Sequence, residues 1–270
     1  MPAAGARLTA MVSEAADAGR ASGRARPAGN YGLDAAWVPF LWLACGVACL
    51  IGVFANLGAP APWNVIVPGY LAVLTVLFIA GGLAYLHATL RGKFQVWGEV
   101  LDALQLAGDE HALDLGCGRG AVAIMLARRL PAGEVTGIDL WRSRDQSGNS
   151  TEHAEANLAA NGVADRVRLV TGDMTALPFD DASVDLVTAS LAIHNIHADG
   201  GRERAVTKAL RVLKPGGRLV IVDISATKQY EAALREAGAL DVHRRGLGWR
   251  VWWTGPWMHT ELVTARKPAA

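Results

Sequence analysis

The chain has only three cysteines in 270 residues, too few and too poorly placed for a disulfide framework. Cys45 and Cys49 fall close together in an apolar run, where they read as filler facing neighbours or lipid. Cys117 falls in a glycine-rich turn that needs something small. No cysteine–histidine spacing resembles a zinc site, and no metal is expected. Net charge is +1, so no basic excess exists to recruit a nucleic acid. The most informative absence is local. Residues 35 to 90 contain no Asp, Glu, Lys or Arg, although 19% of the chain is charged. A run that long is not one buried core helix.

The run divides at Gly58-Ala-Pro-Ala-Pro-Trp-Asn64, a segment of turn-formers. Ala35 to Leu57 and Val65 to Leu90 each suffice to cross a hydrocarbon layer of about 30 Å. Pro68 and Gly81-Gly82 interrupt the second, which bilayer helices tolerate. Trp37, Trp63 and Tyr85 lie near the ends, as interfacial aromatics do. A helical hairpin packed on a soluble domain is the competing reading. A cleaved signal peptide fits worse, because the first run starts late and a second follows. Arg20, Arg24 and Arg26 precede the first span, Arg91 and Lys93 follow the second, and the turn between carries no charge. The positive-inside rule then predicts two spans of the cell (inner, cytoplasmic) membrane with both ends in the cytoplasm.

Residues 1–34, rich in Ala, Gly and Arg, are expected to form a flexible cytoplasmic tail, with room for a partly helical stretch at Leu8 to Ala18. Residues 35–90 carry the two transmembrane helices. Residues 91–110 are expected to form a linker helix, with Phe94, Trp97, Leu101 and Leu104 on one side. Residues 111–270 remain for one further domain.

There, Leu113-Asp-Leu-Gly-Cys-Gly-Arg-Gly120 runs from a short apolar segment into a glycine turn. Asp139 closes the next apolar segment. A strand, a turn that admits close backbone approach, a helix and an acid at the following strand's tip make a nucleotide cradle. Read as Gly116-x-Gly118-x-Gly120, the turn is the form that holds S-adenosylmethionine. Read as Gly116-x-Gly118-x-x-Ala121, it also satisfies the looser dinucleotide fingerprint, so an NAD-dependent oxidoreductase stays open on glycines alone. Asp114 shifts the balance, since a carboxylate before the first glycine suits a cationic ligand better than a pyrophosphate. Gly172-Asp173-Met174 follows the third apolar strand, Ser183 to Thr188 reads as a fourth, and Leu213-Lys-Pro-Gly-Gly-Arg-Leu219 turns into a fifth.

In order and spacing these segments resemble the class I (Rossmann-like) S-adenosylmethionine-dependent methyltransferases over roughly residues 95 to 266. Strands at 111–115, 134–139, 166–171, 183–189 and 217–223 alternate with helices at 119–130, 150–161, 201–212 and 227–237. This pattern calls for an α/β fold with a mainly parallel sheet covered on both faces. The resemblance adds an antiparallel C-terminal hairpin, near 239–253 and 258–266, preceded here by the transmembrane hairpin. It also implies that Asp114, Gly116, Cys117 and Gly118 hold the methionine and sugar side of the cofactor, and Asp139 the ribose. Leu140 or Trp141 would cover the adenine, Asp173 would meet its amino group, Met174 would pack on it, and Ser190 would complete the set.

The acceptor site should lie past the fourth strand, where Ser190-Leu-Ala-Ile-His194-Asn195-Ile-His197 stands. His194 is the candidate general base, because imidazole titrates near neutral pH, and Asn195 could orient the acceptor. His197 is a weaker candidate. The polar segment Trp141 to Ser150 is longer than many relatives carry, and Arg142, Arg144 and Asn149 on it could form a lid or meet the acceptor. Trp249, Trp252, Trp253 and Trp257, with Arg244, Arg245 and Arg250, read as sheet-edge packing or as a membrane-interface patch. The acceptor expected from this assembly is a small molecule or a lipid-like, quinone-like compound drawn from the bilayer. The scarcity of cysteine argues against arsenite, whose capture needs a thiolate cluster. A binding module that senses the cofactor without turnover is the alternative from a different class.

Overall fold

The computed structural model describes residues 26–142 and 148–269. It opens with two antiparallel helices, α1 (Trp37–Asn56) and α2 (Trp63–His87). Glycines make their seam. A Cβ at Gly46 would lie 2.7 Å from Ile79, and one at Gly82 2.9 Å from Leu43, so only a missing side chain allows the approach. Trp42 and Phe78 meet edge to face at 5.3 Å. Outside the seam Phe40, Ile51, Phe54, Val65, Tyr70 and Val76 are exposed. Both helices are long and apolar enough to cross a membrane, and only 11% and 17% of their most apolar stretches are buried. The hairpin therefore does not lie along the domain as a core element.

The second helix does not stop where its apolar run stops. A π-helical turn, Ala88–Gly92, carries it directly into α3 (Lys93–Ala103). One helical rod thus connects the apolar hairpin to the domain, and α3 buries Phe94, Trp97, Val100 and Leu101 there. The π turn sits where the chain passes another backbone. A Cβ at Gly92 would fall 1.8 Å from the Arg250 carbonyl oxygen.

Strands and helices then alternate as β1 (His111–Leu115), α4 (Ala121–Ala127), β2 (Glu134–Asp139), α5 (Thr151–Ala160), β3 (Val167–Thr171), β4 (Val184–Ser190) and α6 (Gly201–Val212). They continue with β5 (Leu213–Asp223), α7 (Thr227–Glu236), β6 (Leu240–Gly246) and β7 (Glu261–Arg266). The seven strands lie in the order β3-β2-β1-β4-β5-β7-β6. The first five are parallel, and β7 runs antiparallel between β5 and β6. A doubly wound dinucleotide sheet would end on a sixth parallel strand instead. Alternate residues feed two cores: Ala112, Leu186, Val220 and Val222 pack under α3 and α4. Leu113, Leu115, Val187, Ala189, Leu219 and Ile221 pack under α6 and α7.

Three expectations are corrected. Residues 26–34 are not a free tail. Tyr31 is buried, Asn30 exchanges hydrogen bonds with Asn157, and the Arg119 guanidinium donates to Asn30. Short amide side chains and one aromatic thus fasten this strap to α5 and the glycine turn. The stretch from 239 to 253 is not one strand. β6 ends at Gly246, Gly248 has φ +81°, and Trp249–Val251 make a 3-10 turn. Aromatic contacts then hold residues 249–257 on the rod and on α1: Trp249 stacks on His87, Trp253 meets Tyr85, and Trp257 stacks on Trp42 of α1. Finally β5 starts at Leu213, with Lys214–Gly217 as a bulge, because Val184 pairs with Leu213 but Leu186 with Arg218. Leu8 to Ala18 and Arg144 lie outside the described residues.

Candidate cofactor and acceptor site

At the carboxyl ends of β1, β2 and β4 lies a cavity of about 380 Å³, the size of a small-molecule site. The glycine turn forms its floor. The Gly116 and Cys117 N–H groups both donate to the Ile138 carbonyl, at 2.8 and 3.2 Å, which clamps the turn to the next strand. Gly116 has φ +65°, and a Cβ on it would meet Ala192 Cβ at 2.3 Å and Met174 Cε at 3.2 Å. The Cys117 side chain is buried beneath the turn, close enough to Gly137 to forbid a Cβ there, and burial pushes its thiol pKa up. Cys117 also lines the cavity, and with its thiol pushed up it is not poised as a nucleophile.

Two carboxylates flank this floor. Asp114 is 1% exposed and accepts the Thr188 hydroxyl at 2.8 Å from the adjoining strand. Burial pushes its pKa up to about 7, against the pull of the Thr188 hydrogen bond. Asp139 is bound on both oxygens. Oδ2 accepts the Gly118 N–H at 2.8 Å, while Oδ1 accepts the Trp141 N–H at 2.6 Å and the Asn149 amide at 3.2 Å. The acid at the tip of β2 is thereby fixed to the middle glycine of the turn. Asp173 lines the cavity and also caps a short 3-10 turn, its Oδ1 accepting from Thr175 N and Oγ1, both at 2.8 Å.

Leu140, Met174 and Ser190 lie on the cavity wall. Trp141 does not: its indole N–H turns outward to Thr171 Oγ1 at 2.9 Å, and its own backbone is left-handed at φ +56°. Of the two residues expected at an adenine face, Leu140 lines the cavity and Trp141 does not. Arg142 and Asn149 of the polar segment also line the cavity. The buried Asn149 Oδ1 has no hydrogen-bond partner among the described residues. A buried amide oxygen without a partner, on a residue of the cavity wall, calls for a donor such as a ribose hydroxyl or an adenine amino group. With the Gly116 cradle and the two acids, it makes the residues fit an adenosyl ligand with a cationic amino-acid end.

Past β4 the backbone turns left-handed at Leu191 (φ +52°) and sends Ala192, Asn195, Ile196, His197 and Ala198 along the cavity. His194, expected as the base, is not among them. Its Nδ1 lies 2.5 Å from Asp223 Oδ1 at the end of β5. The short 3-10 turn Ile193–Asn195 rotates neighbouring side chains to different sides, which places Asn195 on the cavity and His194 behind it. The opposite wall went unforeseen. It comes from the rod that continues the apolar hairpin and from the strap: Asp34, Lys93, Phe94 and Trp97. The Trp97 indole donates to Ser190 Oγ at 2.8 Å, joining that wall to β4.

A family profile described as a methyltransferase domain matches residues 112–217. The chain is 38% identical over 132 residues to demethylmenaquinone methyltransferase of Lactiplantibacillus plantarum, covering 48% of this chain and 52% of that one. It is 36% identical over 135 residues to the ubiquinone/menaquinone biosynthesis C-methyltransferase of Paracoccus denitrificans, covering 50% of each. The chain thus spans about half the length of the curated relatives it matches. In fold it is similar to geranyl diphosphate C-methyltransferase from Streptomyces coelicolor, with a TM-score of 0.52 and 18% identity over 68% of this chain and 82% of that one. The matched segment contains the glycine turn, both flanking acids and the Lys-Pro-Gly-Gly bulge, all in the geometry just described. Residues 112–217 thus match the methyltransferase-domain family, and the domain that follows the apolar hairpin has the fold of the class I, Rossmann-like S-adenosylmethionine-dependent methyltransferases.

Proposed function

We propose that the chain is a membrane-anchored methyltransferase acting on a small, hydrophobic, quinone-like acceptor taken from the bilayer. One observation supports this most directly. The wall facing the glycine turn is the first turn of α3, and α3 is continuous with an apolar helix long enough to span a membrane. Leu90, the last residue of the charge-free run, precedes Lys93 by less than one helical turn of about 5.4 Å. An acceptor dissolved at that depth reaches the cavity without crossing bulk water. The relatives named for quinone methylation point the same way.

In this reading Asp114, Gly116, Cys117, Gly118, Asp139, Leu140, Asp173, Met174 and Ser190 hold S-adenosylmethionine. When bound, it supplies an electrophilic methyl group on a cationic sulfur. Asp114 takes the amino group of the methionine end, and Asp139 and Asn149 the ribose. Phe94, Trp97, Leu191 and Ile196 exclude water from the acceptor, and Asn195 and His197 hold its polar edge. The chain's ends, flanked by arginine and lysine, face the cytoplasm, where the cofactor is available.

The test is methyl transfer from labelled S-adenosylmethionine by the full chain in phospholipid vesicles containing demethylmenaquinol. Label in the extracted quinone is expected. Tight cofactor binding with no labelled lipid would favour a sensor over an enzyme. Release of the protein from membranes by alkaline carbonate would overturn the anchor.

A further inference from the structure

Lys93 and Asp34 form an ion pair on the cavity wall, where the rod meets the strap. Lys93 Nζ donates to Asp34 Oδ2 at 2.7 Å, and the Thr89 hydroxyl donates to the same oxygen at 2.7 Å. The side chains are only 11% and 21% exposed. The Asp34 backbone is held as well: its N–H donates to Thr89 Oγ1 at 3.2 Å and its carbonyl accepts the Tyr85 hydroxyl at 2.9 Å. Lys93 lies 5.5 Å from the Phe94 ring centroid. An ammonium has three protons to donate, and Asp34 takes one. Neither the other two nor Asp34 Oδ1 has a hydrogen-bond partner among the described residues.

A buried ion pair adds little net stability, because desolvation offsets the attraction. This pair instead sets a cation with spare donors and an acid with a spare acceptor side by side. Both line the cavity, next to the aromatic side chains of Phe94 and Trp97. The group that matches this is a hydroxyl on an apolar ring, which donates to the acid and accepts from the cation.

We infer that Lys93 and Asp34 recognise and ionise a ring hydroxyl of the methyl acceptor. This rests on the methyltransferase reading and names the acceptor's chemistry as phenol-like. The step is a proton transfer. The O–H bond breaks, its electron pair stays on oxygen beside Lys93 Nζ, and the proton leaves to solvent by way of Asp34 Oδ1. The ring carbons next to that oxygen gain the electron density that carbon methylation requires. Asp34 comes from the strap and Lys93 from the rod, so the pair exists only when both are docked.

The probe is 1-naphthol, titrated by absorbance with the full chain in detergent micelles and no cofactor. Its apparent pKa should fall by about one unit or more on saturable binding, relative to empty micelles, which is a tenfold change in ionisation. Lys93→Met should abolish the shift, Lys93→Arg should keep most of it, and S-adenosylhomocysteine should bind all three proteins within about twofold. Asp34→Asn serves as the second variant, and should weaken binding of 1-naphthol but not of 1-methoxynaphthalene. An unshifted pKa in the wild type, no saturable binding, or a shift that survives in Lys93→Met overturns the inference. A shift present in a protein that fails to bind S-adenosylhomocysteine would sink the methyltransferase reading alone.

Discussion

His194 Nδ1 sits 2.5 Å from Asp223 Oδ1, and this contact turns the imidazole away from the cavity it was expected to serve. Asp223 is fully buried and also accepts the His194 and Ile224 N–H groups and the Tyr230 hydroxyl, at 3.2, 2.8 and 3.2 Å. The ring therefore anchors the segment after β4 to the end of β5. Its removal should cost stability, not chemistry.

Replacement of His194 by Ala should lower unfolding free energy by about 1–3 kcal/mol, the usual cost of leaving a buried charged acceptor short of a partner. Turnover per folded molecule should stay within a few-fold. Thermal melting and single-turnover methyl transfer measure the two separately. A rate loss of a thousandfold without destabilisation would restore His194 as a base.

Asp139 should behave in the opposite sense. Its carboxylate fastens the Gly118 and Trp141 N–H groups, so Asp139→Ala both removes a proposed cofactor ligand and frees the turn. S-adenosylhomocysteine binding should weaken by about 1.5–3 kcal/mol, on the order of 10- to 100-fold, by calorimetry. Trp141→Ala is the comparison. Because that indole faces Thr171, binding should change by less than about threefold, or about 0.6 kcal/mol.

Burial raises the Asp114 carboxyl to about 7 from an ordinary 3.8. For an acid shifted upward, the folded state prefers the protonated form. The associated stability is fully present below the ordinary value and is lost as pH rises through about 7. Cofactor binding should run the other way, since the cationic amino group prefers ionised Asp114. Affinity for S-adenosylhomocysteine should rise up to about tenfold per unit as pH increases toward 7, then level off. Binding should also release a proton, visible as a buffer-dependent heat. Asp114→Asn should flatten the profile, and a wild-type affinity independent of pH between about 5.5 and 7 would contradict this account.

The glycine-turn half of the cavity was legible because it is local. Asp114, Gly116, Gly118 and Asp139 sit within one strand–turn–helix–strand unit, where spacing alone fixes proximity. His194 was misplaced because a single turn of 3-10 helix decides which of two neighbouring residues faces the cavity, and the sequence pattern does not resolve that rotation. The facing wall was hidden for another reason. Lys93 was read as a topology signal and Phe94 and Trp97 as an apolar stripe, yet the rod carries all three to the site. One signal was available. Asp34 and Lys93 bracket the charge-free hairpin, and an antiparallel hairpin returns its ends to the same place.

The joint between rod and domain offers the last test. A Cβ on Gly92 would sit 1.8 Å from the Arg250 carbonyl oxygen, and backbone cannot yield by changing rotamer. Either the π turn or the 249–251 turn must move, at a cost of about 1–3 kcal/mol for such overpacking. Gly92 adjoins Lys93, so Gly92→Ala should also weaken 1-naphthol binding while S-adenosylhomocysteine binding persists. Gly58→Ala is the control, since a Cβ there meets nothing within 4 Å, and it should shift stability by less than about 0.5 kcal/mol. Thermal melts of both variants in the same micelles decide the point: equal melting temperatures would show that rod and loop are not in register as described.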